Sequence, residues 1–213
     1  NFTTATNSYN VAVGYDAGND VTIGQNNTLI GGLCGDAIDT ASNNTAVGTA
    51  ALSSDCGDFN SCLGYNAGKS ITGAQNTCIG GEAGNSITTG NRNAVIGHNV
   101  ATSLQDGSDN VAIGDSVDVG ASIGFSITIG SGISATGSNN FSFGKASNVV
   151  TNDFYADANW SRSSDQRLKK NITDQTLGLS FINDLRTVKY NWKANHELDS
   201  SDSQLAHLYK ENP

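Results

Sequence analysis

The chain has 213 residues, 37% of them hydrophobic, with 25 Gly, one Pro, no Met and a net charge of −9; it is long enough to bury a sizeable core, but its composition is not that of an ordinary globule. The acidity argues against a nucleic-acid or anionic-membrane partner, because phosphate surfaces are held by clustered Lys and Arg. No apolar run approaches the roughly 18 residues of a membrane helix and no signal pattern opens the chain, so we expect no membrane insertion; the start at Asn1 reads as part of something longer.

From the N-terminus one motif recurs: NVAVG at 10–14, NTLIG at 27–31, NTAVG at 44–48, NSCLG at 60–64, NTCIG at 76–80, NAVIG at 93–97, NVAIG at 110–114 and NFSFG at 140–144, with SITIG at 126–130 carrying Ser126 in the Asn place. The motif glycines, from Gly14 to Gly144, stand 16 or 17 residues apart, closing to 14 at the end. Such a period predicts a mainly β solenoid over 1–150, in which each unit buries its apolar face on its neighbours. The residue before Gly is large or β-branched and the one before that is usually small, which predicts a strand with the large column on one face. Gly then turns the corner, and DAG at 16–18, NAG at 66–68 and EAG at 82–84 predict a second corner, hence two short strands per coil. The recurring Asn is either an exposed turn former or, as we prefer, one rung of a side-chain amide ladder.

Cys62 and Cys78 occupy the position held by Ala12, Ala46 and Ala112 in other copies. Together with Cys34 and Cys56 they form no CxxC pair, and we read them as small buried side chains with no metal site and no cofactor. A coil this narrow has little interior, so burying one face of every coil against further copies explains more than a monomer does.

The repeated N-x-A-[VI]-G followed by a small-residue turn resembles the repeat of trimeric autotransporter adhesin heads and of viral and phage fibre shafts, with a longer period than the adhesin pattern. The resemblance covers about 1–144 and implies a parallel β-roll or β-helix and a homotrimer.

After Val150 the composition shifts. Residues 151–163 bring Phe154, Tyr155 and Trp160 together, which suits a strand region capping the shaft. There follows SSDQRLKKN at 163–171, a basic cluster in an acidic chain. Beyond it Leu177, Phe181, Ile182 and Leu185 share one helical face, with Asp174 or Thr176 as cap, while Val188, Tyr190 and Trp192 alternate as a strand does. SDQRLKKNI with GLSFINDLRTVKYNWK closely resembles the start of the intramolecular chaperone domain found at the C-terminus of phage tail spikes and tail fibres, endosialidase spikes included. The family also occurs in some algal-virus proteins and in a membrane-bound animal transcription factor.

The resemblance implies a small α+β segment over 164–213, the N-terminal part of a domain that trimerises the fibre ahead of it and is released by autoproteolysis. Carried over by position, Ser164 is the nucleophile at the cut, Asp165 the new N-terminus, Lys169 the general base, and Arg167 and Asn171 match motif positions around it. The chemistry agrees: a Ser hydroxyl needs a base, and Lys serves as one only when burial or nearby cations, here Arg167 and Lys170, depress its pKa. Family members continue well past Trp192, so we expect a chain ending at Pro213 to lack part of the trimer contact.

His98, His196 and His207 stand apart from any Ser-His-Asp arrangement, and Asp106, Asp109, Asp115 and Asp118 match no calcium-loop spacing. We therefore expect no enzyme in the shaft, only a single-turnover Ser-Lys self-cleavage after it. The expected function is a structural fibre or spike protein of a virion, extracellular, joined to upstream virion or tail proteins, and involved in attachment to a host-surface glycan or receptor. The alternative is a bacterial-type trimeric surface adhesin with a C-terminal cap that does not cut.

Overall fold

The computed structural model describes residues 8–155, and these form a β-solenoid of about eight coils. Ten strands follow one another: β1 (Val11–Val13), β2 (Thr28–Ile30), β3 (Thr45–Val47), β4 (Ser61–Leu63), β5 (Thr77–Ile79), β6 (Ala94–Ile96), β7 (Val111–Asp115), β8 (Ile127–Ser131), β9 (Asn140–Lys145) and β10 (Asn148–Asp153). They build a single sheet in sequence order, with β1 to β9 parallel and in register, so that Ala46 pairs with Cys62 and Cys62 with Cys78. β10 then turns back antiparallel on β9 and ends the parallel stack.

Alternation along each three-residue strand decides what lies inside. The middle residue points inward, and Leu29, Ala46, Cys62, Cys78, Val95 and Ala112 are all fully buried. The large residue before the motif Gly points outward, leaving Ile30, Leu63, Ile79 and Ile96 exposed. The four cysteines are buried and free. The opposite wall of the core is made by Cys34, Ala51, Ala67, Ala83, Val100 and Val117, with Val21, Ile38, Ile71, Ile87 and Leu104 filling the space between. In the third coil that filling place falls to Asp55, and Leu52 substitutes for it from the position where neighbouring coils carry Gly35 and Gly68. Leu52 is fully buried at φ 51°, a left-handed conformation a Leu adopts only when packing holds it there.

The second side of each coil is not a strand. Each coil holds one, where two are predicted, because the corner residues Asp16, Leu33, Asn66 and Glu82 all take positive φ, as do Gly18, Gly35, Gly68 and Gly84 two residues later. Left-handed residues at every second position cannot form extended backbone. Stacking continues there through single bonds, with the Gly18, Gly35 and Gly68 amides donating to the Cys34, Ala51 and Ala83 carbonyls at 2.9–3.0 Å.

The Asn motif is a ladder. Asn10 Oδ1 accepts the amide of Asn27, and the pattern repeats from Asn27 to Asn44, Asn60, Asn76, Asn93 and Asn110 at 2.7–3.1 Å. Ser126 closes it, donating both its amide and its hydroxyl to Asn110 Oδ1. The amide nitrogens reach carbonyls further on in the chain: Asn27 Nδ2 donates to Ala41, Asn76 to Gly90 and Asn93 to Gly107. Asn44 is the exception, for its Nδ2 is buried without a partner, while the equivalent carbonyl, Gly57, accepts from Asn60. A second ladder on the third side was not anticipated. There the amides of Gln25, Ser42, Ala74 and Asn91 donate to side-chain oxygens of Ser42, Asp58, Asn91 and Ser108, each in the following coil.

The motif glycines make the close stacking possible. Gly64 has φ +136°, and a Cβ there would stand 2.5 Å from the Gly80 carbonyl oxygen, with the same relation at successive corners. Gly64→Ala is expected to destabilise by about 3 kcal/mol or more in denaturant titration. Gly132, also at positive φ but with open space around it, should lose only about 1 kcal/mol as Ala. Asn76→Ala removes a side chain that donates to Asn60 Oδ1 and to the Ala74 and Gly90 carbonyls and accepts from the backbone amide and Nδ2 of Asn93; it strands the buried amide of Asn93 and should cost about 2–4 kcal/mol in the same measurement. Asn44→Ala, which deletes an unpaired donor as well, should cost clearly less.

Candidate functional site

Two features bear on function: the Ser-Asp motif that follows the solenoid in sequence and the outer face of the solenoid. Ser164, Asp165, Arg167, Lys169 and Asn171 lie outside the described residues, as do the predicted helix around Leu177–Leu185 and the strand at 188–192. Their reading rests on sequence.

Within the shaft the outer strand face is built from two columns. The third residues of the strands supply Val13, Ile30, Val47, Leu63, Ile79 and their successors, and the first residues supply Thr28, Thr45, Ser61, Thr77 and Ala94 over β2 to β6. From β7 onward the first column becomes large as well, with Val111, Ile127 and Phe141. The Phe141 and Phe143 rings lie 5.4 Å apart, tilted by 30°. Neither column holds a charged residue in a chain of net charge −9.

Charges gather at the edges of this face. Arg92 makes a bidentate pair with Asp109 at 2.6 and 2.9 Å, one coil apart, which holds the Asp109 carboxyl below its usual range. His98 Nδ1 lies 3.5 Å from Asp115 Oδ1, giving His98 a partner that the sequence did not suggest. Both residues of each pair are at least partly exposed, so neither pair adds much stability. The column holding Arg92 and Asp109 also carries Tyr9, Phe59 and Phe125, all at φ between 49° and 63°. No sequence signal marks that corner, because its residue types change from coil to coil while its backbone does not.

The acidic side chains do not converge. Among the described residues no group of three His, Cys, Asp or Glu is placed to hold a metal ion. Asp36 is raised chiefly by burial and then by the charges of Asp20 and Asp16, with one carboxylate oxygen buried and unpartnered. The thiols are shielded. Burial pushes Cys34 up to about 11 and Cys56 up to about 12, and Cys62 is raised mainly by its hydrogen bond with Cys78. Cys34 Sγ donates to the Ala46 carbonyl at 3.1 Å.

Comparison with known families bears on the C-terminal segment. Residues 164–206 match the family model described as the chaperone of endosialidase. The match opens on Ser164, the residue singled out at the Ser-Asp step. Chaperone segment and β-solenoid together fit the tail-fibre and endosialidase-chaperone type. No curated protein and no solved structure matches the chain.

The thiol environment has a measurable consequence. A thiol whose pKa is raised on folding contributes stability that is present below its unfolded value near 9.0 and is lost as pH rises toward its folded value. The protein should therefore lose stability between about pH 9 and 12, and a Cys34→Ala, Cys56→Ala double variant should lose less over that interval in denaturant titrations. Native thiols should react with an aromatic disulfide reagent at pH 8 only once the solenoid is unfolded.

Proposed function

We propose that this chain is the shaft and C-terminal assembly segment of a homotrimeric fibre or spike, carried on a virion and involved in attachment to a host cell. The observation that carries the reading is the order of parts: a chaperone-of-endosialidase segment follows directly on a narrow parallel solenoid. A solenoid of this kind is a spacer. It sets the reach of the fibre, while upstream virion or tail proteins hold it and a host glycan or receptor is its target.

In this reading the segment from Ser164 assembles three chains and is then cut away. Lys169 takes the Ser164 hydroxyl proton as the oxygen adds to the Ser164 carbonyl carbon, and returns that proton to the Asp165 nitrogen as the peptide bond breaks, so that Asp165 leaves as an amine and Ser164 is left as a strained four-membered lactone, an internal ester. Water then hydrolyses the resulting ester, restoring the hydroxyl and leaving a carboxylate on Ser164. Arg167 and Lys170 favour the neutral form of Lys169 that the step requires.

Intact-mass measurement of the full-length protein beside its Ser164→Ala variant tests this. The parent should give two pieces, ending at Ser164 and beginning at Asp165, and the variant one whole chain. Lys169→Ala should also stay whole, and Lys169→Arg should not rescue it, since a guanidinium cannot act as the base. A parent that stays whole while forming trimers would reduce the segment to a structural cap.

A further inference from the structure

We infer that the outer strand face of the solenoid, formed by the first and third strand residues, is the surface on which the three shafts pack, and that its rows at β7–β9 contribute most to the association. The inference deepens the proposed trimer and rests on it for the number three.

Four observations carry it. The first is exposure: Leu63 is 50% exposed, and Ile30, Ile79, Ile96 and Ile129 lie at 38–39%, although each coil repeats an apolar residue at that place. Scattered exposed apolar residues need no explanation, but a stripe running the length of a sheet does. The second is extent. Eight inter-strand steps of ~4.8 Å give a face roughly 38 Å long, and with its flanking columns it is roughly 20 Å wide, on the order of the ~800 Å² that one chain commits to a stable partner.

The third observation is charge. Both columns are uncharged while the pairs Arg92–Asp109 and His98–Asp115 stand at the edges. Copies of an acidic chain can approach along this face without repulsion, and the arrangement is that of an apolar interface centre with a charged rim. The fourth is shape and repeat. Rotation about an axis along the shaft keeps every row at its own height and sets the small column of one copy, with Thr45, Ser61 and Thr77, beside the large column of the next, with Val47, Leu63 and Ile79. Bumps then meet hollows in every coil, which only a partner with the same rise per coil can match along the whole length.

The columns are not uniform. Val111, Ile127 and Phe141 stand where β2 to β6 carry Thr, Ser or Ala, so three successive wide apolar rows lie nearest in sequence to Ser164, against the single wide row of Val11 and Val13 at β1. Association should be tightest there, next in sequence to the segment that would bring three chains together.

Light scattering after gel filtration tests this on the full chain and on Ile79→Glu with Ile96→Glu, beside Lys69→Glu, which changes an exposed residue off the face. Circular dichroism reports whether the solenoid persists, as it should, since neither isoleucine points into the core. Each substitution occurs three times in the assembly and buries charges that repel, so the paired variant should associate at least ~100-fold more weakly, with Lys69→Glu unchanged. If the Glu pair unfolds, Ile79→Thr with Ile96→Thr, which introduces the chain's own first-column residue type, should weaken association by about tenfold or more. Ile129→Glu should weaken it more than Val13→Glu.

A trimeric parent with a folded variant that remains a trimer overturns the assignment of this face and leaves the fibre reading standing. Equal effects of Ile129→Glu and Val13→Glu overturn the weighting toward β7–β9. A folded parent that stays monomeric overturns the trimer itself.

Discussion

Parallel, in-register stacking governs this molecule. When each coil lies directly on the one before, every residue sits above its own counterpart, and whatever a side chain needs must come from that counterpart or from the gap beside it. An amide can satisfy itself this way because it both donates and accepts. A charged residue cannot, since its counterpart would carry the same sign, and this is why the ladder is Asn and why the internal columns are neutral. Among the described residues the one charged pair with good geometry, Arg92 on Asp109, depends on adjacent copies of a column differing. The same rule forces glycine at the tightest corner, where the next coil's carbonyl occupies the space of a side chain.

Much of this arrangement can be read from the chain because the period is explicit. The Asn column, the Gly corners and the burial of Cys62 and Cys78 follow from aligning copies of a five-residue motif, and alternation then separates a small inward residue from a large outward one. The second wall was read incorrectly. DAG, NAG and EAG do mark a corner, but residues such as Leu33 and Glu82 carry no hint of left-handed backbone, so a strand was expected where the chain makes a run of turns. The exchange of Leu52 for the usual filler was equally hidden, because it appears only when volumes are summed around one coil rather than down one column.

The candidate site divides along the same line. The C-terminal segment was legible as a family resemblance, because SDQRLKKNI and the residues after it form a distinctive run, and the family match to 164–206 falls on that stretch; the roles of Ser164 and Lys169 belong to the proposed function. The outer face was legible only in part. Its large column is visible in the repeat, whereas its flanks are set by residues such as His98 and Asp115 that belong to different coils and meet only when the coils are stacked.

The reversal from β9 to β10 closes the parallel stack on its C-terminal side. A parallel stack has no internal reason to stop, since the top of each coil offers the next one the same surface it received. Turning β10 back on β9 removes that offer beyond β9. Reach then becomes a counted quantity, one increment of ~4.8 Å for each motif the gene encodes. A longer solenoid would come from duplicating a coil within the array and not from adding one directly onto β10. The compensating exchange at Leu52 and Asp55 further restricts which coils can be copied or lost without leaving a hole.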